Sequence, residues 1–148
     1  MSWAPSAAMP PDGCQVRALR LLLDTHVVLW WFAGQTERIG PAVTGEITDA
    51  EDVFVSAASA WEIEIKRALG KLDAPDDLGE AIASSGFRPL GIEIDHAIAA
   101  GRLPPHHSDP FDRMLVAQAQ ADDLILVTAD NRITRYDVRK LMPGSSTV

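Results

Sequence analysis

Short runs of apolar residues, separated by stretches whose apolar positions recur at helical spacing, organise this chain. Leu19 with Leu21, Leu22 and Leu23 forms an uninterrupted run of the kind found in strands buried on both faces, and it stops at Asp24. Val53, Phe54 and Val55 make a second such run, Pro89 to Ile92 a third, and Leu124 to Val127 a fourth that ends in Thr128, Ala129 and Asp130. A last strand is expected around Val138. Helices fill the intervals: Thr25 to about Phe32, closed at Gly34; a helix opened by Pro41 that carries Val43, Ile47 and Ala50; one after Ser56 whose Trp61, Ile65, Ala68 and Leu72 share a face. A further helix runs to about Ser84, a short one spans Asp95 to Ala100, and another short one lies near Ile133. Asp109-Pro110 marks the clearest start, with aspartate as N-cap and proline in the first turn of a helix running to about Ala121. Strands alternating with helices predict an α/β domain with a central, mainly parallel sheet flanked by helices.

Residues 1–18 do not join this pattern. Their first sixteen positions are rich in Pro, Ala, Ser and Gly with no apolar period, so a disordered extension is expected there and the folded domain over 19–148. A chain of 148 residues, 47% of them apolar, can bury a core without disulfides or a structural metal. The single cysteine, Cys14, excludes an intramolecular disulfide, a zinc ribbon and a redox pair. No membrane span or secretory signal is evident, and a cytoplasmic protein is expected. The net charge of −8 argues against bulk electrostatic binding of nucleic acid but is compatible with an enzyme that reaches phosphates through a bound cation.

Parallel sheets bind ligands at the carboxyl ends of their strands, and four acids are expected at that edge. Asp24 follows the first strand, Glu62 lies early in the helix after Val55, Asp112 sits in the first turn of the helix opened by Asp109, and Asp130 follows the Leu124–Val127 strand. Carboxylates brought together in this way repel one another unless a proton or a cation compensates, and magnesium, with manganese as substitute, is the natural hard cation for oxygen ligands. Each acid also has a purely structural explanation. Asp24 could cap the following helix, Glu62 could complete a capping box with Ser59 or pair with Lys66, Asp112 could favour the helix dipole, and Asp130 could be a turn residue beside Asn131. Glu64 reads as a surface acid beside Arg67. His106 and His107 fall in a proline-containing loop and read as surface or substrate-side residues. Arg113, Arg132 and Arg135 read as solvated charges within reach of phosphates, and Trp30, Trp31 and Trp61 as core.

The segments LLLDTHVVLWW (Leu21 to Trp31), VSAASAWEIEIKRALGKL (Val55 to Leu72), DPFDRMLVAQA (Asp109 to Ala119) and LVTADNRITRYDV (Leu126 to Val138) closely resemble the PIN-domain ribonucleases, specifically the VapC toxins of type II toxin–antitoxin systems. The resemblance extends from Leu19 to about Leu141. It implies a PIN-like fold and a magnesium-dependent endoribonuclease that cleaves RNA and inhibits translation and growth. It also implies neutralisation by a cognate VapB-like antitoxin, and it favours a homodimer. Asp24, Glu62, Asp112 and Asp130 match the family's four acids in order, Asp24 and Asp112 being the positions most often counted as metal ligands, and Thr128 matches a small hydroxyl position near the site. The family pattern begins almost at Leu21, which leaves residues 1–18 outside it, and Asp109 adds a fifth acid.

Competing chemistries fail on spacing. A haloacid-dehalogenase-type phosphatase requires an aspartate two residues after the first, where His26 stands, and a receiver domain requires a lysine late in the sheet, which Leu124 to Asp130 does not offer. The alternative of a different class is a non-catalytic acidic protein-interaction domain, which would tolerate loss of Asp24 and Asp112.

Overall fold

Hydrogen-bonded register joins the short apolar runs into one sheet. The computed structural model describes residues 18–144; the expected extension, apart from Ala18, and Cys14 lie outside the described residues. The strands are β1 (Arg20–Leu23), β2 (Asp52–Ser56), β3 (Arg88–Leu90), β4 (Ile125–Val127) and β5 (Lys140–Leu141). They lie in the order β3-β2-β1-β4-β5, and every pairing is parallel. The expected fold class is therefore the observed one.

Register explains why β1 is apolar at every position from Leu21 to Leu23. Leu21 is paired with Val53 on one side and Ile125 on the other, Leu22 with Phe54 and Leu126, and Leu23 with Val55 and Val127. Successive side chains of a strand point to opposite faces, so Leu21, Leu23, Val53 and Val55 belong to one apolar layer and Leu22, Phe54 and Leu126 to the other. The first layer is covered by α1 (Thr25–Phe32), α2 (Thr36–Ile39), α3 (Pro41–Asp49) and α5 (Leu78–Ser84), through Val27, Val28, Ile39, Val43, Ile47, Leu78 and Ile82. Ile63 of α4 (Ala57–Ala68) joins it. The second is covered by α7 (Pro110–Asp122), through Leu115, Val116 and Ala119, with Ile133, Tyr136 and Val138 beyond β4. Helix α6 (Ile94–Arg102) packs against α7.

The structure corrects two local expectations. The helix after β2 ends at Ala68, and its buried residues are Ala58, Ser59, Glu62 and Ile63. The face formed by Trp61, Ile65 and Ala68 is instead outermost, with Trp61 63% exposed. Trp61 is thus not a core residue, because the turn at Ser56 presents the small residues of the helix to the sheet. Ser56 is also the N-cap, its side chain accepting the Ala58 N–H, so Ser59 and Glu62 form no capping box.

Strand order reverses beside β1: the chain moves from β1 to β2 and β3 on one side, then crosses to β4 and β5 on the other. Such a switch point opens a crevice at the carboxyl ends of the two central strands. Asp24 immediately follows β1, and its N–H donates to the Val127 carbonyl at the end of β4, 3.0 Å away.

Two glycines flank this framework with opposite requirements. Gly40, between α2 and α3, has φ +91°, and an added Cβ would lie 3.3 Å from the Gly144 backbone nitrogen, whereas Gly45 sits inside α3 with open space around it. Gly40→Ala should lower stability by about 1–3 kcal/mol, since it forces an L-residue into a glycine conformation, and Gly45→Ala should raise it by about 0.5–1 kcal/mol. Denaturant unfolding of both variants checks the pair.

Candidate active site

A layer of buried polar side chains caps the carboxyl edge of the sheet. Asp24, Thr25, Ser56, Ser59, Glu62, His107 and Thr128 are all buried there, on segments that leave β1, β2 and β4 or lead into α7. Asp24 caps α1, its Oδ1 accepting the Val27 N–H at 3.0 Å. Burial raises the Asp24 carboxyl above its ordinary value, opposed by hydrogen bonds from the Thr128 hydroxyl and from the Val27 and Ala129 backbone. The capping explanation for Asp24 is therefore correct, but it accounts for one oxygen of a carboxylate held almost wholly out of water.

Glu62 is equally buried and has both oxygens engaged. Thr25 Oγ1 donates to Oε1 at 2.7 Å, and Lys66 Nζ donates to Oε2 at 2.7 Å. Thr25 Oγ1 also lies 3.0 Å from Ser59 Oγ, which ties the start of α1 to α4. The Glu62 hydrogen bond raises the Lys66 ammonium above its usual range, and Asp109 and Asp112 act in the same direction. Lys66 is thus the cation that the chain itself supplies to Glu62.

Asp112 stands in the first turn of α7. Burial pushes its carboxyl up to about 6, reinforced by the charges of Asp109, Asp24 and Glu62 and opposed by His107. The charges of Asp24 and Glu62 thus reach Asp112. Asp109 is the α7 N-cap, its Oδ1 accepting the Phe111 and Asp112 N–H groups, which gives the fifth acid a structural duty. Asp130 behaves oppositely to Asp112: against a burial effect that raises it, the Arg132 N–H and guanidinium and His107 hold its carboxyl below the ordinary range.

His107 is the residue that sequence reasoning misplaced. Its side chain is only 2% exposed, and its Nε2 lies 2.8 Å from Asp112 Oδ2 and 3.0 Å from Asp130 Oδ2. One ligand-type atom from each of His107, Asp112 and Asp130 falls within 4.8 Å of the others. His106 beside it is exposed and meets the Tyr136 ring edge-on. The available signal was position: two residues before the cap of α7, a side chain must lie close to the first helical turn, where Asp112 sits. Arg113 also departs from expectation, because its guanidinium binds the carbonyls of Ala100, Leu103, Pro104 and His107 instead of facing solvent.

The cluster suits a hard divalent cation. Among the described residues the ligand atoms that lie within 4.8 Å of one another come from Asp112, Asp130 and His107, with Asp24 and Glu62 outside that group, and a cation nearby would offset the burial that raises the Asp24 and Asp112 carboxyls.

Comparison with known proteins identifies the family and the fold. The PIN domain family model matches residues 21–139. Ribonuclease VapC22 of Mycobacterium tuberculosis is 34% identical over 124 residues, covering 78% of this chain and 91% of that protein. Two solved structures share the fold. VapBC2 from Rickettsia felis, bound to a DNA fragment from its promoter, aligns with a TM-score of 0.63 at 12% identity, over 84% of this chain and 99% of that one. DNA-bound VapBC from Salmonella typhimurium aligns with a TM-score of 0.60 at 19% identity, over 84% and 98%.

The Asp112 carboxyl also determines the sign of a stability effect. Its folded value of about 6 lies above the ordinary 3.8. Folding of the metal-free protein therefore takes up a proton between those values, and the ionised group opposes folding above the higher one. In EDTA, Asp112→Asn should melt higher than the wild type at about pH 7.5, with the gain shrinking as pH falls through about 6 and lost near about 4. Scanning calorimetry across that range checks it; a lower melting temperature at the alkaline end would show that the bond to His107 outweighs the repulsion.

Proposed function

The chain belongs to the PIN-domain family, and from that premise we propose that it is a VapC-type toxin, a magnesium-dependent endoribonuclease held in check by a VapB-like antitoxin. The observation that supports this is the placement of Asp24 and Glu62, buried just beyond β1 and β2, on the same sheet edge as Asp112 and Asp130, whose carboxylates meet at His107, with the Asp112 carboxyl raised to about 6 by burial and by its acidic neighbours. The ribonuclease similarity over most of the chain supports the same chemistry.

Asp24 and Asp112 would hold the magnesium ion, or manganese in its place, with Glu62 and Asp130 completing the acidic surround. When bound, the cation supplies Lewis acidity toward the scissile phosphate and a nucleophilic water at neutral pH. The chain's own residues prepare that event. Thr128 and the start of α1 hold Asp24; Thr25 and Lys66 hold Glu62; Arg132 holds Asp130. Lys66 and Arg132 also leave positive charge at the rim of an otherwise acidic crevice, where an RNA backbone must approach. A cytoplasmic location goes with such a substrate, and no described helix is long and apolar enough to cross a membrane.

Two partners complete the proposal. The net charge of −8 favours an antitoxin segment bearing a basic side chain that can pair with the carboxylates. The exposed apolar positions Trp61, Ile65 and Leu69 along α4 and Ile94 and Ile98 on α6 flank α7 and favour a homodimer formed through this face. Leu69→Glu combined with Ile98→Glu should convert the dimer to a monomer in light scattering, with the melting temperature little changed.

Asp24→Asn and Asp112→Asn preparations that remain folded should lose RNA cleavage by on the order of 100-fold or more and should no longer arrest growth on expression. Wild-type cleavage should stop in excess EDTA and return with magnesium. Cleavage at the wild-type rate in either variant, or in EDTA, would refute the assignment and leave the acidic cluster to a non-catalytic interaction domain.

A further inference from the structure

His107, Asp112 and Asp130 have the composition of a three-residue metal site, but their hydrogen bonds describe something else. The Asp109 N–H donates to His107 Nδ1 at 3.3 Å, so that nitrogen carries the lone pair and the ring proton of the neutral imidazole sits on Nε2. Nε2 faces two carboxylate oxygens at 2.8 and 3.0 Å, an arrangement that a hydrogen between them makes attractive and a bare lone pair would make repulsive. Asp130 is already fully engaged. Its Oδ1 accepts the Arg132 N–H at 2.8 Å and Nε at 3.3 Å, and its Oδ2 accepts His107 and Arg132 Nη2. Asp112 Oδ1, by contrast, accepts no hydrogen bond from the described residues.

We infer that His107 is a positioning residue: its Nε2–H bridges Asp130 Oδ2 and Asp112 Oδ2, anchoring the Asp112 carboxylate so that Oδ1 is presented for the cation, and the imidazole itself does not bind metal. This rests on the metal-dependent function proposed above.

The support behind the ring is rigid. The His107 N–H donates to the Tyr136 hydroxyl at 3.0 Å, which in turn donates to the Pro104 carbonyl at 2.8 Å. The His107 carbonyl accepts Arg113 Nη1 at 3.2 Å, and the same guanidinium gathers the carbonyls at the end of α6. A buried ring on a peptide fixed at both its N–H and its carbonyl is suited to orienting a neighbour, as ligand-supporting groups around metal sites are.

Three measurements on the full chain test this. Titration calorimetry with magnesium chloride on wild type and Asp112→Asn comes first. Equal binding by the two proteins, or none by either, removes the metal reading itself and the inference with it. Given wild-type binding that Asp112→Asn loses, two-bond proton–nitrogen correlation of the imidazoles should show His107 protonated on Nε2 and bare on Nδ1, both before and after magnesium. Loss of the Nε2 proton on magnesium binding, or a proton on Nδ1, would make His107 a ligand or reverse its donor role, and overturns the inference. Finally, His107→Ala should weaken magnesium binding about tenfold or more, and His107→Gln, whose amide N–H can stand in for Nε2–H, should recover most of it. Wild-type affinity in His107→Ala, or equal weakening in both variants, overturns the inference. If His107→Ala does not fold, the ring-nitrogen spectra and the His107→Gln titration decide, and a tenfold loss in His107→Gln then counts against it.

Discussion

Keeping carboxylates out of water at the open end of a parallel sheet is the constraint around which this molecule is arranged. Asp24 and Glu62 are nearly as buried as the leucines beneath them, and an ionised group in that position is unstable unless hydrogen bonds or opposite charge surround it. The polar side chains above the sheet meet that demand. Thr128 and the first turn of α1 serve Asp24, Thr25 and Lys66 serve Glu62, and His107 and Arg132 serve Asp130. For Asp112, burial and the charges of Asp109, Asp24 and Glu62 outweigh His107, and its carboxyl rises to about 6. The apolar layers determine where this edge lies; the polar layer determines what it can bind.

The compensation is distributed unevenly, and the unevenness has chemical content. Lys66 and Arg132 neutralise acids at the rim, where their own heads keep contact with water. Asp24 and Asp112, by contrast, have no direct ion pair with a lysine or arginine among the described residues: Asp24 rests on hydrogen bonds from neutral groups and Asp112 on His107. A fold that wanted only stability would place hydrophobic residues at these two positions, since unpaired buried charge is costly and an apolar replacement is often stabilising. Under the function proposed above, carboxylates at these positions give up stability in exchange for affinity toward a small, highly charged cation.

Much of this was legible in the chain itself. Strand β1 announces itself because burial on both faces requires an unbroken apolar run, and α7 because an aspartate cap followed by proline admits few other structures. The four acids were legible for a related reason, since each occupies the first position or first turns after a strand or cap. Two things were not legible. The orientation of α4 depends on which face the turn at Ser56 delivers to the sheet. Apolar spacing favoured the Trp61 face, whereas packing chose the small residues and Glu62. His107 was hidden because its environment comes from residues distant in sequence, Asp130 and Tyr136, and loops carry no period from which to infer what they approach.

The pairing of β1 with β4 carries one more consequence, for the order of events during synthesis. Asp24 emerges early from the ribosome, but the strand that receives its N–H, at Val127, is made about a hundred residues later, and Asp112, Asp130 and the Tyr136 that steadies His107 all belong to the last third of the chain. A contact this distant in sequence closes slowly and only after its second half exists. The nascent polypeptide is therefore chemically incomplete until β4 and the residues after it have been made. A ribosome making this protein is exposed to no assembled acidic crevice until the segment from Asp112 to Tyr136 has emerged.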